Sequence, residues 1–137
     1  MLLTLGLVTI ALGLVLTVAD AGTVFVARRE LAATCDGAAT AAAQAVDEPA
    51  IYAGDDRPRL PIDLAGARER AARYVHQVGS DATVAVTGLD RAGTTVTLAC
   101  ARDITVPFAG WLALAPRSIT VAARAASPLS RPAGAAP

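Results

Sequence analysis

Aromatic side chains are scarce in this 137-residue chain, at 4%, although 54% of it is hydrophobic. Alanine and valine carry the apolar count, and each buries little area at about 25 cal/mol per Å². A core built of them is thin and gains from a second source of stability. Lys plus Arg and Asp plus Glu balance at 12 each, with neither a basic patch nor an acidic run, which argues against a nucleic-acid partner. Cysteine is limited to Cys35 and Cys100, histidine to His76, and no CxxC spacing occurs. That excludes the familiar zinc patterns and leaves no candidate metal ligands. Also missing are a nucleophile with a base at recognisable spacing, a Gly-rich phosphate loop, and carboxylates clustered with a histidine. An enzyme is therefore not expected, nor a cofactor. Asp55 and Asp56 are adjacent in a Pro-rich connector and read as solvated turn residues.

What is present is a long uncharged run. Leu2 to Ala19, "LLTLGLVTIALGLVLTVA", contains no charge, and Val24, Phe25 and Val26 extend it past Asp20. Eighteen residues at 1.5 Å each give about 27 Å, close to the hydrocarbon thickness of a bilayer. The run reads as a transmembrane helix with Asp20 near its outer boundary. Other readings stay open. Ala19-Asp20-Ala21 fits a small-x-small signal cleavage site, although no Lys or Arg precedes the run and helical pattern resumes after it. A buried soluble helix would need more protein around it than this length supplies. Arg28 and Arg29 follow the span, so the positive-inside rule alone would turn the remainder toward the cytoplasm, unless the true start lies upstream and carries basic residues. Gly6, Gly13 and Gly22 permit close approach of another helix, and Asp20 can bond across such an interface or mark the water boundary.

From Ala27 to Val46 no proline interrupts, and alanine is the best helix former. One continuous helix from about Leu2 to about Val46 is expected, closed by Asp47, Glu48 and Pro49. Alanines at 38, 39, 41, 42, 43 and 45 let it lie very close to a sheet or to sister helices. Pro49 to Pro61 read as a connector, after which Asp63 caps a second helix. Leu64, Ala67, Ala71, Tyr74, Val75 and Val78 share its apolar face, Glu69 and Arg73 pair at i,i+4, and Gly79 closes it. His76 beside this face reads as a surface or core-edge residue.

The period then changes to two. Val84 and Val86, a turn at Leu89 to Gly93, and Val96, Leu98 and Cys100 form a hairpin pattern. Ile104 and Val106 keep the parity, but Arg102 intrudes; a bulge or break near Ala101 to Asp103, or a place at the sheet's edge, would relieve it. Pro107 ends the strand, and Phe108, Trp111, Leu112 and Leu114 form the only bulky cluster, with Trp111 able to reach a membrane surface. Ile119, Val121 and Ala123 make a last strand, and the tail after it lacks pattern and is expected to be disordered. The fold class is therefore α+β. A transmembrane helix over 1–27 continues as an extramembrane helix over 28–48. A small domain follows over 49–126, with one helix and a three- to four-stranded antiparallel sheet, then a tail over 127–137. If the strands pack on the long helix, Cys35 and Cys100 can meet. A disulfide across about 65 residues would add roughly 4 kcal/mol in the chain-entropy model. Two buried free thiols are the alternative.

The stretch "DAGTVFVARRELAATCDGAATAAAQA" after an apolar span resembles the N-terminal region of TadE/TadG-like proteins of Tad (Flp) pilus assembly. The matching positions are Asp20, Gly22, Ala27, Arg28, Arg29, Leu31, Asp36, Ala38 and Ala39. "VPFAGWL", Val106 to Leu112, and "ITVAARA", Ile119 to Ala125, are similar to the family's ending. The pattern departs from the family in lacking a basic segment before the span. It also lacks a Glu five positions after a cleavage-site Gly, the residue after Gly6 at that spacing being Ala11. The resemblance implies a single-pass, pseudopilin-like membrane protein with an extracytoplasmic head. Such a protein acts structurally through packing of its N-terminal helix, with other pilus or secretion-system subunits as partners. The competing reading is a secreted binding module released near Ala21.

Overall fold

The computed structural model describes residues 1–52, 59–105 and 117–128. Three helices, α1 (Leu2–Ala43), α2 (Glu48–Tyr52) and α3 (Leu64–Gln77), precede three strands, β1 (Thr83–Leu89), β2 (Thr95–Ile104) and β3 (Arg117–Ala126). The strands form one antiparallel sheet in the order β1-β2-β3. The α+β class expected from the two periodicities is the class observed.

α1 is a single 42-residue helix, uninterrupted because no proline falls within it. It was expected to reach Val46 but stops at Ala43. The backbone beyond is taken up by the segment entering α3: Val46 pairs with Ile62, Asp47 N–H donates to Pro61 O, and Asp63 N–H donates to Ala45 O. Pro49, expected to lie in a connector, sits in the first turn of α2, where a missing N–H costs nothing. The bulky cluster around Trp111, together with Val106, Pro107, Asp55 and Asp56, lies outside the described residues.

Only the C-terminal part of α1 is covered. Leu31, Cys35, Ala38, Ala39, Ala42 and Ala43 are buried, spaced by three, four and one so that they fall on one side of the helix. That side packs on β2 and β3, and α3 packs beside α1 and against β1. α3 starts at Asp63, whose carboxylate accepts from the N–H groups of Ala65 (3.1 Å) and Gly66 (2.8 Å). It buries Ala67, Ala71 and Val75, with Tyr74 packed against the core, while His76 stays exposed. Val78 was placed on the same face but is 50% exposed. It is the C-cap residue, where the chain already unwinds toward Gly79 at φ +64°. The approach of α3 to α1 depends on Gly37, because a Cβ there would overlap the Tyr74 ring and hydroxyl.

The sheet's inner face is read from its register. Val84 pairs with Cys100 and Cys100 with Val121; Val86 pairs with Leu98 and Leu98 with Ala123; Leu89 pairs with Val96 and Val96 with Ala125. Arg102 produces neither a bulge nor a break, and it does not lie at an edge: it sits in the central strand, paired with Ile119. The irregularity falls instead in β1, between Val86 and Gly88. Arg102 is accommodated because the inner face there is the open end of the sheet, where carboxylates meet it.

The hairpin turn is organised by Asp90. One carboxylate oxygen accepts from the N–H groups of Thr94 (2.7 Å) and Thr95 (2.9 Å), and Asp90 N–H donates to Thr95 O. Gly93, at φ +69°, passes its carbonyl to Ile62 N–H, tying the turn to the segment before α3. The Thr95 N–H, with the other donors of the turn, holds the Asp90 carboxyl below its ordinary pKa. A depressed folded-state pKa means stability that is present above the unfolded pKa and is lost as pH falls through the folded one. Asp90→Asn is therefore expected to lower the denaturation midpoint at neutral pH. The gap from the parent should close as pH drops below the carboxylate range; a gap independent of pH contradicts the assignment.

Candidate packing surface and its anchorage

α1 divides into two environments. From Leu2 to Val26 its large apolar side chains stand in the open: Leu5, Leu12, Val18 and Phe25 are 59–71% exposed, while Leu31 is 2% exposed. The helix is long and apolar enough to cross a membrane. The threonines in this half spend their hydroxyls on their own backbone: Thr4 on Met1 O, Thr9 on Leu5 O and Thr17 on Gly13 O, all at 2.8–2.9 Å. Such internal bonding lets a hydroxyl sit in lipid without an unmet donor.

Described residues of the head meet the helix at the level of Thr23. An open cleft there is lined by Thr23, Val24 and Ala27 of α1 and by Asp81, Arg102 and Asp103 with Ile104 and Thr105. Arg102 Nε lies 2.8 Å from Asp81, and its Nη1 lies 3.4 Å from Glu30 of α1. These groups are partly exposed, so each pair contributes under about 1 kcal/mol. Their effect is positional: one guanidinium joins α1, the entry to β1, and β2. In the sequence Arg102 breaks the parity of the strand, and its partners are not visible there because Glu30 and Asp81 are remote in the chain. The charge of this collar also bounds the span. With Asp81, Arg102 and Asp103 at the level of Thr23, the lipid-compatible part of α1 is Leu2 to Ala19, about 27 Å long.

The glycines singled out in the sequence fall on two faces. Gly6, Gly13 and Asp20 follow each other at intervals of seven and lie on the side of α1 that carries the head. Gly22, nine residues after Gly13, is half a turn away. Outside its own stretch of helix, none of the three glycines has a described atom within 4 Å of where a Cβ would stand. The side bearing Gly22 also carries Val8, Ala11, Val15 and Val18, all exposed, while the leucines and Ile10 of the span occupy the remaining directions. α1 therefore offers another helix a smooth valine, alanine and glycine surface on the side away from the head.

Cys35 and Cys100 are both fully buried and joined as a disulfide, with Cα atoms 5.9 Å apart. They bind α1 to the central strand at the middle of the interface. Among the described residues no group of three or more His, Cys, Asp and Glu could hold a metal ion. Residues 1–45 match the Tad family model, described as "Putative Flp pilus-assembly TadE/G-like". Over that stretch, about a third of the chain, the sequence is similar to that family, and the match ends just after α1. No curated protein and no solved structure matches the chain.

Replacing both Cys35 and Cys100 by alanine is expected to lower the stability of the detergent-solubilised protein by roughly 4 kcal/mol in denaturant titration. Reduction of the parent should produce a shift of the same size. A loss below about 1 kcal/mol would show that the cross-link carries little of the fold.

Proposed function

We propose that this chain is a single-pass, membrane-anchored component of a Tad/Flp pilus assembly or a related secretion system. It acts as a structural subunit rather than a catalyst. The observation that carries the proposal is the division of α1: apolar and largely exposed from Leu2 to Ala19, then built into the core of a small head from Leu31 onward. The family match over the same 45 residues supports the pilus-assembly setting. The helix holds the subunit in the bilayer, and its small-residue faces meet neighbouring helices of other subunits.

The head is assigned to the extracytoplasmic side. A buried disulfide between two distant cysteines favours an oxidising compartment, where such bonds form and persist. Arg28 and Arg29 argue the other way under the positive-inside rule, and orientation is the part of the proposal most open to test.

In membranes of the producing cell the protein is expected to resist alkaline carbonate extraction and to retain residues 1–21 by intact mass. After reduction with a permeant reductant, an impermeant maleimide is expected to label Cys35 or Cys100 in intact cells once the head is loosened by mild denaturant. A soluble chain beginning at Gly22 would support the secreted alternative, and labelling only after lysis would place the head in the cytoplasm.

A further inference from the structure

We propose that the open cleft beside Arg102 holds the headgroup of a membrane phospholipid that carries a primary ammonium, of the phosphatidylethanolamine type. This rests on the reading of α1 as a membrane anchor, and it holds whichever side of the membrane the head occupies. The level of the cleft selects a lipid. Thr23 lies four residues, about 6 Å, beyond Ala19, where the uncharged span ends. The polar layer on each side of the hydrocarbon is about 5 to 7 Å deep, so the cleft opens at the depth of the headgroups. Its α1 wall is low, made of Thr23, Val24 and Ala27, and the Thr23 hydroxyl is spent on Asp20 O at 2.8 Å. Below it Leu16 and Gly13 continue the same side of α1, so an acyl chain can follow the helix down from the cleft.

The charges select the headgroup. Arg102 commits Nε to Asp81 (2.8 Å) and Nη1 to Glu30 (3.4 Å). A guanidinium has five N–H donors, so Arg102 keeps donors for a phosphate oxygen. The Asp81 side chain is 66% exposed, and a carboxylate accepts more bonds than the one Arg102 supplies. Asp103 is exposed, borders the same cleft, and has no ion-pair partner among the described residues. Among the lining residues two carboxylates therefore stand against one guanidinium, which disfavours a net anionic headgroup. A zwitterion meets both signs, its phosphate on Arg102 and its ammonium on Asp81 or Asp103. A primary ammonium donates three hydrogen bonds to such acceptors, whereas the quaternary ammonium of choline donates none.

The test reconstitutes the full-length protein in vesicles of equal parts phosphatidylethanolamine, phosphatidylcholine and phosphatidylglycerol. The protein is recovered in mild detergent and its retained lipid is counted by mass spectrometry. Phosphatidylethanolamine is expected to be enriched about five-fold over each of the others, the most one partly exposed ion pair supplies. Asp81→Asn combined with Asp103→Asn is expected to return the ratio to that of the vesicles. Asp103→Asn alone leaves both Arg102 pairs in place and is expected to lower the enrichment without loosening the head. In the vesicle-embedded parent a carbodiimide, which joins a carboxylate to a primary amine as an amide and takes up the water lost, is expected to attach the lipid to Asp81 or Asp103. Retention in vesicle proportions, preference for phosphatidylglycerol, or attachment at Asp20 alone would overturn the proposal and leave the anchor intact. Recovery of the protein in the alkaline carbonate supernatant would defeat the anchor and this proposal together.

Discussion

The close approach of α1 to the sheet is the constraint on which the rest of the molecule depends. Ala38, Ala39, Ala42 and Ala43 present nothing longer than a methyl on the buried side of the last turns of α1. β2 and β3 can then lie directly on the helix, and Gly37 lets Tyr74 of α3 do the same from the flank. The largest fully buried side chains are Leu31, Leu98, Val96 and the two cysteines. A core of this kind gains modest hydrophobic stabilisation because so little area is removed from water per residue. The Cys35–Cys100 bond offsets that weakness in the unfolded state, by restricting a chain that otherwise has much freedom to lose.

The same helix carries two kinds of surface. Below Thr23 none of the described cleft-lining residues of the head lies against it and most of its leucine, valine and isoleucine side chains are exposed; above Ala27 it supplies one wall of the core. Because no break separates these halves, any force on the anchor passes directly to the head. The collar of Glu30, Arg102 and Asp81 marks the transition and keeps the sheet's lower end seated on the helix.

Much of this was legible in the sequence because the periodicities are clean. The uncharged run, the proline-free alanine stretch, the Asp63 cap and the alternation around Val96, Leu98 and Cys100 each announce one kind of element. What was not legible depended on residues far apart in the chain. The helix ends at Ala43 because residues 61–63 recruit its next carbonyls and amides, a partner no local pattern reveals. Arg102 looked like a fault in a strand because its carboxylates lie 21 and 72 residues away. Val78 kept the helical spacing but fell one residue past the last turn. The division of Gly13 and Gly22 between opposite faces needed only the 3.6-residue period, once the helix was known to be unbroken.

The central claim is that Leu31 to Ala43 of α1 belong to the head's cooperative core rather than to a separate stalk. Hydrogen–deuterium exchange of the full chain in a lipid bilayer tests this most directly. Amides of Leu31 to Ala43 are predicted to exchange together with those of β2, at the rate of global unfolding. Exchange of that helical segment well ahead of β2 would mean that the sheet does not depend on it, and would contradict the account.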